Sequence, residues 1–237
     1  MLILALDSSA GPASCALVND QGVLASAQVN TRLTHSQTLL PMVENMLHNA
    51  GVPLGEIDAC AVSVGPGSFT GIRIGVAAVK GIAFSDDKPC IPVSTLEAIA
   101  QNAHGMPFTG VICPAMDARC RQVYAAFFFC DQGRLTRIAP DAALSLEDWA
   151  RNAISFQKPL FCVGDGAQLC YNTLSESGYE SILAPVHLRY QTAIGVAAAA
   201  LREASAGPMM SADALQPLYL RLPQAERELK IRLAKEK

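Results

Sequence analysis

The chain has 237 residues, 51% of them apolar and 16% charged, with a formal net charge of −3. That is enough apolar chain to bury a sizeable core in one large domain or two small ones, while the negative balance excludes the electrostatic grip on a polyanion that a basic protein has. No stretch reaches the roughly 18 apolar residues of a membrane span, and MLILALDSS has no basic residue ahead of its apolar run, so a cytoplasmic location and no membrane contact are expected.

In chain order, LILALD reads as a buried strand ending in Asp7, followed by a polar turn, the apolar strand ASCALV and the turn Asp20-Gln21-Gly22. HSQTLLPMVENMLHNAG places Leu39, Val43, Met46, Leu47 and Ala50 on one helical stripe, with Pro41 near the first turn and Gly51 as a stop. VSVGPG is a β-branched strand running into a glycine turn. The helix TGIRIGVAAVKGIAF follows, and in it Gly71, Gly75 and Ala78 recur at i, i+4 and i+7 beside Ile72, Val79 and Ile82. Glycine inside a helix costs about 1 kcal/mol. Close packing must offset that cost, against either the chain's own sheet or a partner helix. STLEAIAQNAHG opens with a capping box, Ser94 to Glu97, and a linker is expected between Asn102 and Thr109.

From there the pattern begins again. VICPAMDARCRQVYAAFFFCDQG repeats the opening: an apolar strand into Asp117, a turn, a second apolar strand and the turn Asp131-Gln132-Gly133. Val163-Gly164-Asp165-Gly166 then matches Val64-Gly65-Pro66-Gly67, and TAIGVAAAALREASAGP is a closing helix capped by Thr192. Hairpins followed by alternating helices and strands, twice over, predict an α/β protein of two duplicated lobes, each with a mixed sheet and helices. That plan resembles the actin, sugar kinase and Hsp70-like (ASKHA) fold. The expected divisions are an N-terminal lobe over 1–105 that holds the two early helices, a C-terminal lobe over 106–221 and a charged tail over 222–237. The tail holds five Lys or Arg against three Glu from 226 to 237, a local patch able to touch RNA weakly.

The residue chemistry is poor in catalytic sets. Eight cysteines lie singly, mostly in apolar runs, with no C-x-x-C pair, and His35, His48, His104 and His187 are never paired at i+3 or i+4, so no metal is expected. Gly65-Pro66-Gly67-Ser68 lies where backbone N–H groups could face an anion, but no Gly-Lys-Ser/Thr follows and the dinucleotide spacing is missed by one residue. Kinases of this fold use D-x-G-[ST] in both hairpins, where this chain has Asp7-Ser8-Ser9 and Asp117-Ala118-Arg119. Asp7, Ser8, Ser9, Gly65, Gly67, Ser68, Asp117, Gly164 and Gly166 are therefore read as vestigial phosphate loops. Ser68 lacks the glycine two residues earlier that a hydrolase elbow needs.

LALDSS, HSQTLLPMV, SVGPGSFTGIRIG, PVSTLEAIA, DARCRQVYAAFF and PLYLR together resemble the TsaB (YeaZ) family over residues 1 to about 221. The resemblance implies a catalytically inactive partner of TsaD, the metal-containing subunit that transfers threonylcarbamoyl to the adenosine beside the anticodon in tRNAs reading codons that begin with A. TsaE, an ATPase, joins the pair. Thr95 and Ile99 fall where TsaD-like proteins carry their two metal-binding histidines, so neither an enzyme nor a cofactor is implied. The family's docking surface maps onto the two early helices, giving Leu39, Val43, Met46, Leu47, Gly71, Ile72, Gly75, Ala78 and Ile82 as interface candidates for TsaD, or for a second copy in a homodimer. A bulky side chain at Gly75 is then expected to spoil pairing and spare the fold. Arg119, Arg121 and Tyr124 carry the second family signature without an assigned task. The alternative is a stand-alone ATP-dependent small-molecule kinase or ATPase of the actin-like fold.

Overall fold

The computed structural model describes residues 1–207 and 209–221, and within them the chain builds two five-stranded sheets of one plan. The first group of elements is β1 (Ile3–Asp7), β2 (Ala13–Asn19), β3 (Gly22–Val29), α1 (His35–Ala50), β4 (Ala59–Gly65), α2 (Phe69–Phe84), β5 (Cys90–Ser94) and α3 (Thr95–Ala100). The second is β6 (Gly110–Asp117), β7 (Gln122–Asp131), β8 (Arg134–Ser145), α4 (Leu146–Ser155), β9 (Leu160–Val163), α5 (Ala167–Glu176), β10 (Ile182–Leu183), α6 (Val186–Arg189) and α7 (Ala193–Ala206).

Strand order is β3-β2-β1-β4-β5 in one sheet and β8-β7-β6-β9-β10 in the other. In each, two antiparallel hairpins are followed by parallel pairs reached through a helix. The repeat seen in the D-Q-G turns is a repeat of topology.

β1 is buried along its whole length because both of its faces are covered. Leu4 and Leu6 pack with Leu39, Val43 and Met46 of α1 and with Ile72 and Val76 of α2. Ile3 and Ala5, on the opposite pleat, meet the alanine-rich α7. Helix ends follow local chemistry. The Thr34 backbone N–H donates to Gln37 Oε1 at 3.2 Å at the start of α1, and Gly51 closes that helix in the left-handed conformation at φ 66°. Pro41 falls inside α1, one turn later than expected.

α3 forms a layer between the lobes. Its Leu96, Ile99 and Ala100 pack with Ile112, Phe128 and Phe161 of the second sheet, while Ala98 faces the α7 side of the first. The lobe assignment from sequence needs one correction. The second lobe does not run to residue 221, because α7 packs on the first sheet, and Ala212 and Leu215 enter the same core as α1 and α2. Small residues explain the return of α7, since a helix lined with Ala193, Ala197 and Ala200 approaches a sheet closely. The tail from 222 to 237 lies outside the described residues.

Candidate functional site

Turns from both lobes meet at a cleft of about 480 Å³, lined by Ser9, Gly67 and Ser68 on one side and by Asp117, Arg119 and Asp165 on the other. Of the expected phosphate-loop residues, Ser9, Gly67, Ser68 and Asp117 line this cleft, whereas Asp7, Ser8, Gly65, Gly164 and Gly166 do not. On the first wall, however, they are bonded to one another. Asp7 is fully buried and accepts from the Ser63 hydroxyl, from the Ser9 backbone N–H at 3.0 Å and from Ser9 Oγ at 2.9 Å. Burial pushes its carboxyl above the usual range despite these donors. The Ser68 N–H, which could have faced a phosphate, donates to the Ser9 carbonyl at 2.7 Å. Ser8 Oγ donates to the Gly71 carbonyl at 2.8 Å, and Ser68 Oγ caps α2 by accepting from the Gly71 N–H at 3.2 Å. Gly67 is required at φ 158° because a side chain there would strike the Ser9 backbone.

The second wall is built alike. Gly164, at φ 107°, and Gly166 let the β9–α5 turn press on Ala115 and Met116, and the Gly166 N–H donates to the Ala115 carbonyl at 3.0 Å. Asp165 Oδ1 accepts from the Asp117 N–H at 3.2 Å. Burial is the main cause that pushes the Asp165 carboxyl up to about 6. Asp117 pairs with the exposed Arg119 at 3.3 Å, Arg121 pairs with Glu147 at 2.8 Å, and Tyr124 lines the cleft. In the sequence Asp165 is only the variable position of V-G-x-G; its half-burial and its contact with the Asp117 N–H belong to the fold.

Thr95 and Ile99 are both fully buried; Ile99 is part of the apolar layer between the lobes, and Thr95 Oγ1 has no hydrogen-bond partner. Among the described residues no three His, Cys, Asp or Glu side chains gather closely enough to hold a metal ion. At these two positions Thr95 offers one neutral hydroxyl and Ile99 no donor atom, which does not fit a metal ion.

The interface candidates need correction. Leu39, Val43 and Met46 of α1, and Gly71, Ile72 and Gly75 of α2, face the chain's own first sheet. A Cβ at Gly75 would stand 2.6 Å from Ser8 Oγ and 3.3 Å from Val62 Cγ2, and one at Gly71 would meet the Ser8 carbonyl. The glycines exist so that α2 can lie against the β1 hairpin turn. Leu47, Ala78 and Ile82 are half-buried at the margin of that core. The outward row of α2 is Arg73, Ala77, Gly81 and Phe84. Phe84 is 80% exposed and Leu40 of α1 is 50% exposed. Gly81 has open space around it. Most of the candidates named from the sequence thus lie on the inward faces of α1 and α2.

The paired sheets, the helical layer between them and the cleft bounded by both hairpin turns define a protein of the actin-like class. Component A of (R)-2-hydroxyglutaryl-CoA dehydratase from Acidaminococcus fermentans shares that fold, with a TM-score of 0.51 at 13% identity over 86% of this chain and 99% of that one. Residues 29–228 match the family described as TsaD: tRNA N6-adenosine threonylcarbamoyltransferase. The tRNA threonylcarbamoyladenosine biosynthesis protein TsaB of Escherichia coli K12 is 32% identical over 222 residues, 93% of this chain and 95% of the relative. YeaZ from Pseudomonas aeruginosa superposes with a TM-score of 0.79 at 30% identity, covering 92% of this chain and 99% of that one. The chain belongs to the TsaB (YeaZ) family.

Proposed function

We propose that this chain acts in tRNA threonylcarbamoyladenosine synthesis as a non-catalytic subunit, which binds and supports the transferase TsaD together with the ATPase TsaE. One observation carries the non-catalytic reading. The groups that would grip phosphate in a working enzyme of this fold are instead bonded to each other, Ser68 N–H to the Ser9 carbonyl and Ser63 and Ser9 to Asp7. Thr95 and Ile99, which the family resemblance aligns with TsaD's histidines, are fully buried and supply no pair of metal ligands.

Docking is assigned to the outer side of α1 and α2. Ala77 and Gly81 allow a second helix to come close, while Phe84 and Leu40 offer apolar area that water would otherwise hold. The same face would join two copies when TsaD is absent. With a net charge of −3, the chain alone binds tRNA weakly and holds it through the assembly.

Phe84→Glu tests the reading, since it places a charge where apolar contact is needed and touches no buried group. The variant is expected to melt like the wild type, to pair with TsaD at least about tenfold more weakly, and to support correspondingly less modified tRNA in a reconstituted assay. Normal pairing and modification would refute the docking face. Modified tRNA made by this chain without TsaD would refute the non-catalytic role.

A further inference from the structure

After α7 the chain turns back and crosses the molecule. Met210 and Cys90, at the edge of the first sheet, exchange backbone hydrogen bonds of 2.8 and 3.0 Å. The Asp213 carbonyl accepts from Lys80 Nζ of α2 at 3.2 Å, and Leu215 is fully buried in the first core. The Leu218 N–H then donates to the Val64 carbonyl at 2.7 Å. Gly65 accommodates the Leu218 carbonyl, which a Cβ at that position would strike.

Beyond Leu218 the segment reaches the mouth of the cleft. The Tyr219 ring rests on Phe69 with centroids 5.0 Å apart, and its hydroxyl accepts from Arg73 Nε at 2.8 Å. The Arg73 guanidinium lies 3.9 Å from the centre of the Phe69 ring. Two residues later Arg221 Nη1 donates to the carbonyl of Ala118, in the hairpin turn of the other lobe, at 3.0 Å. Residues 218–221 thus line the cleft from both sides at once.

We propose that residues 209–221 are a strap that holds the two lobes at a fixed angle and keeps the cleft between them from opening further. Anchored along β5 and α2, it ends on the β6–β7 turn, so any rotation that opens the cleft must break the Arg221 contact or lift Tyr219 from Phe69. The strap also ties the lobe angle to α2, the helix whose outer row is assigned to docking, although its locking role does not depend on that assignment.

Hydrogen–deuterium exchange of the full chain tests the strap on peptides covering 64–72 and 116–124. Loss of one hydrogen bond predicts, in Arg221→Ala, exchange about three- to tenfold faster in both regions, with β1 and the middle of β6 unchanged. Tyr219→Ala provides the second arm, because its ring rests on the first lobe while the effect sought is in the second. It should also quicken exchange at 116–124. If both variants alter only residues 209–221 and their immediate contacts in the first lobe, the segment is a surface tail and the lock is overturned.

Discussion

Asp165 shows how one half-buried side chain can carry a pH signature. Its carboxyl rises from 3.8 to about 6 mainly through burial. Between those values the folded chain binds more protons than the unfolded one. The stability this one group contributes is therefore fully present below about 3.8, falls as pH rises and is lost above about 6. Asp165→Asn keeps an oxygen to accept from the Asp117 N–H and never ionises. It should be the more stable protein at pH 7.5, by roughly 3 kcal/mol at most, with the advantage vanishing below pH 4. Denaturant melts across that range measure it, and a constant gap would show that ionisation is not the cause. The cysteines obey the same physics. Burial drives the Cys60 and Cys162 thiols up to about 12, consistent with small core residues; Cys120 is exposed, in a turn where Arg119, Cys120 and Arg121 all have positive φ.

At the scale of elements, α2 carries two small-residue rows with opposite destinations. The inner row, Gly71 and Gly75, meets the Ser8 turn and Val62; the outer row, Ala77 and Gly81, faces outward. Paired substitutions separate them. Gly75→Leu has no room and should lower stability by at least about 1–3 kcal/mol, as overpacking does. Gly81→Leu exchanges a poor helix former for a good one, so the isolated chain should gain up to about 1 kcal/mol while pairing with TsaD weakens. Thermal melts and a binding titration on both variants read the two effects, and equal melting temperatures would mean that the rows have been misassigned. The stripe was legible in the sequence because helical spacing is local. Its direction was not, since it depends on a hairpin turn some sixty positions earlier in the chain.

For the whole molecule, the helical layer between the lobes is fixed by charge as well as by apolar contact. Glu97 of α3 receives Arg137 of β8 at 2.9 Å and Arg202 of α7 at 3.2 Å, and Gln101 donates to it as well. Arg137 also pairs with Asp141, which accepts from Ser94 Oγ at 2.6 Å, and it lies over the Phe128 ring. Glu97 is only 13% exposed, so this network is not an ordinary surface pair. Glu97→Ala leaves Arg137 half-buried with one carboxylate fewer and should cost about 1–3 kcal/mol. Chemical denaturation checks that value, and a change below about 0.5 kcal/mol would place the network with weak surface pairs.

The amino-acid sequence by itself determined the duplicated lobes, the strand-to-aspartate hairpins, the principal helices and the family resemblance, because each rests on local periodicity, turn chemistry or motif spacing. Only the tertiary structure decided that Gly71 and Gly75 face inward, that α7 returns to the first sheet and that residues 209–221 cross the cleft. Those outcomes depend on which buried surfaces meet. Periodicity records that a face is buried, whereas the identity of its neighbour is set by contacts between residues far apart in the chain.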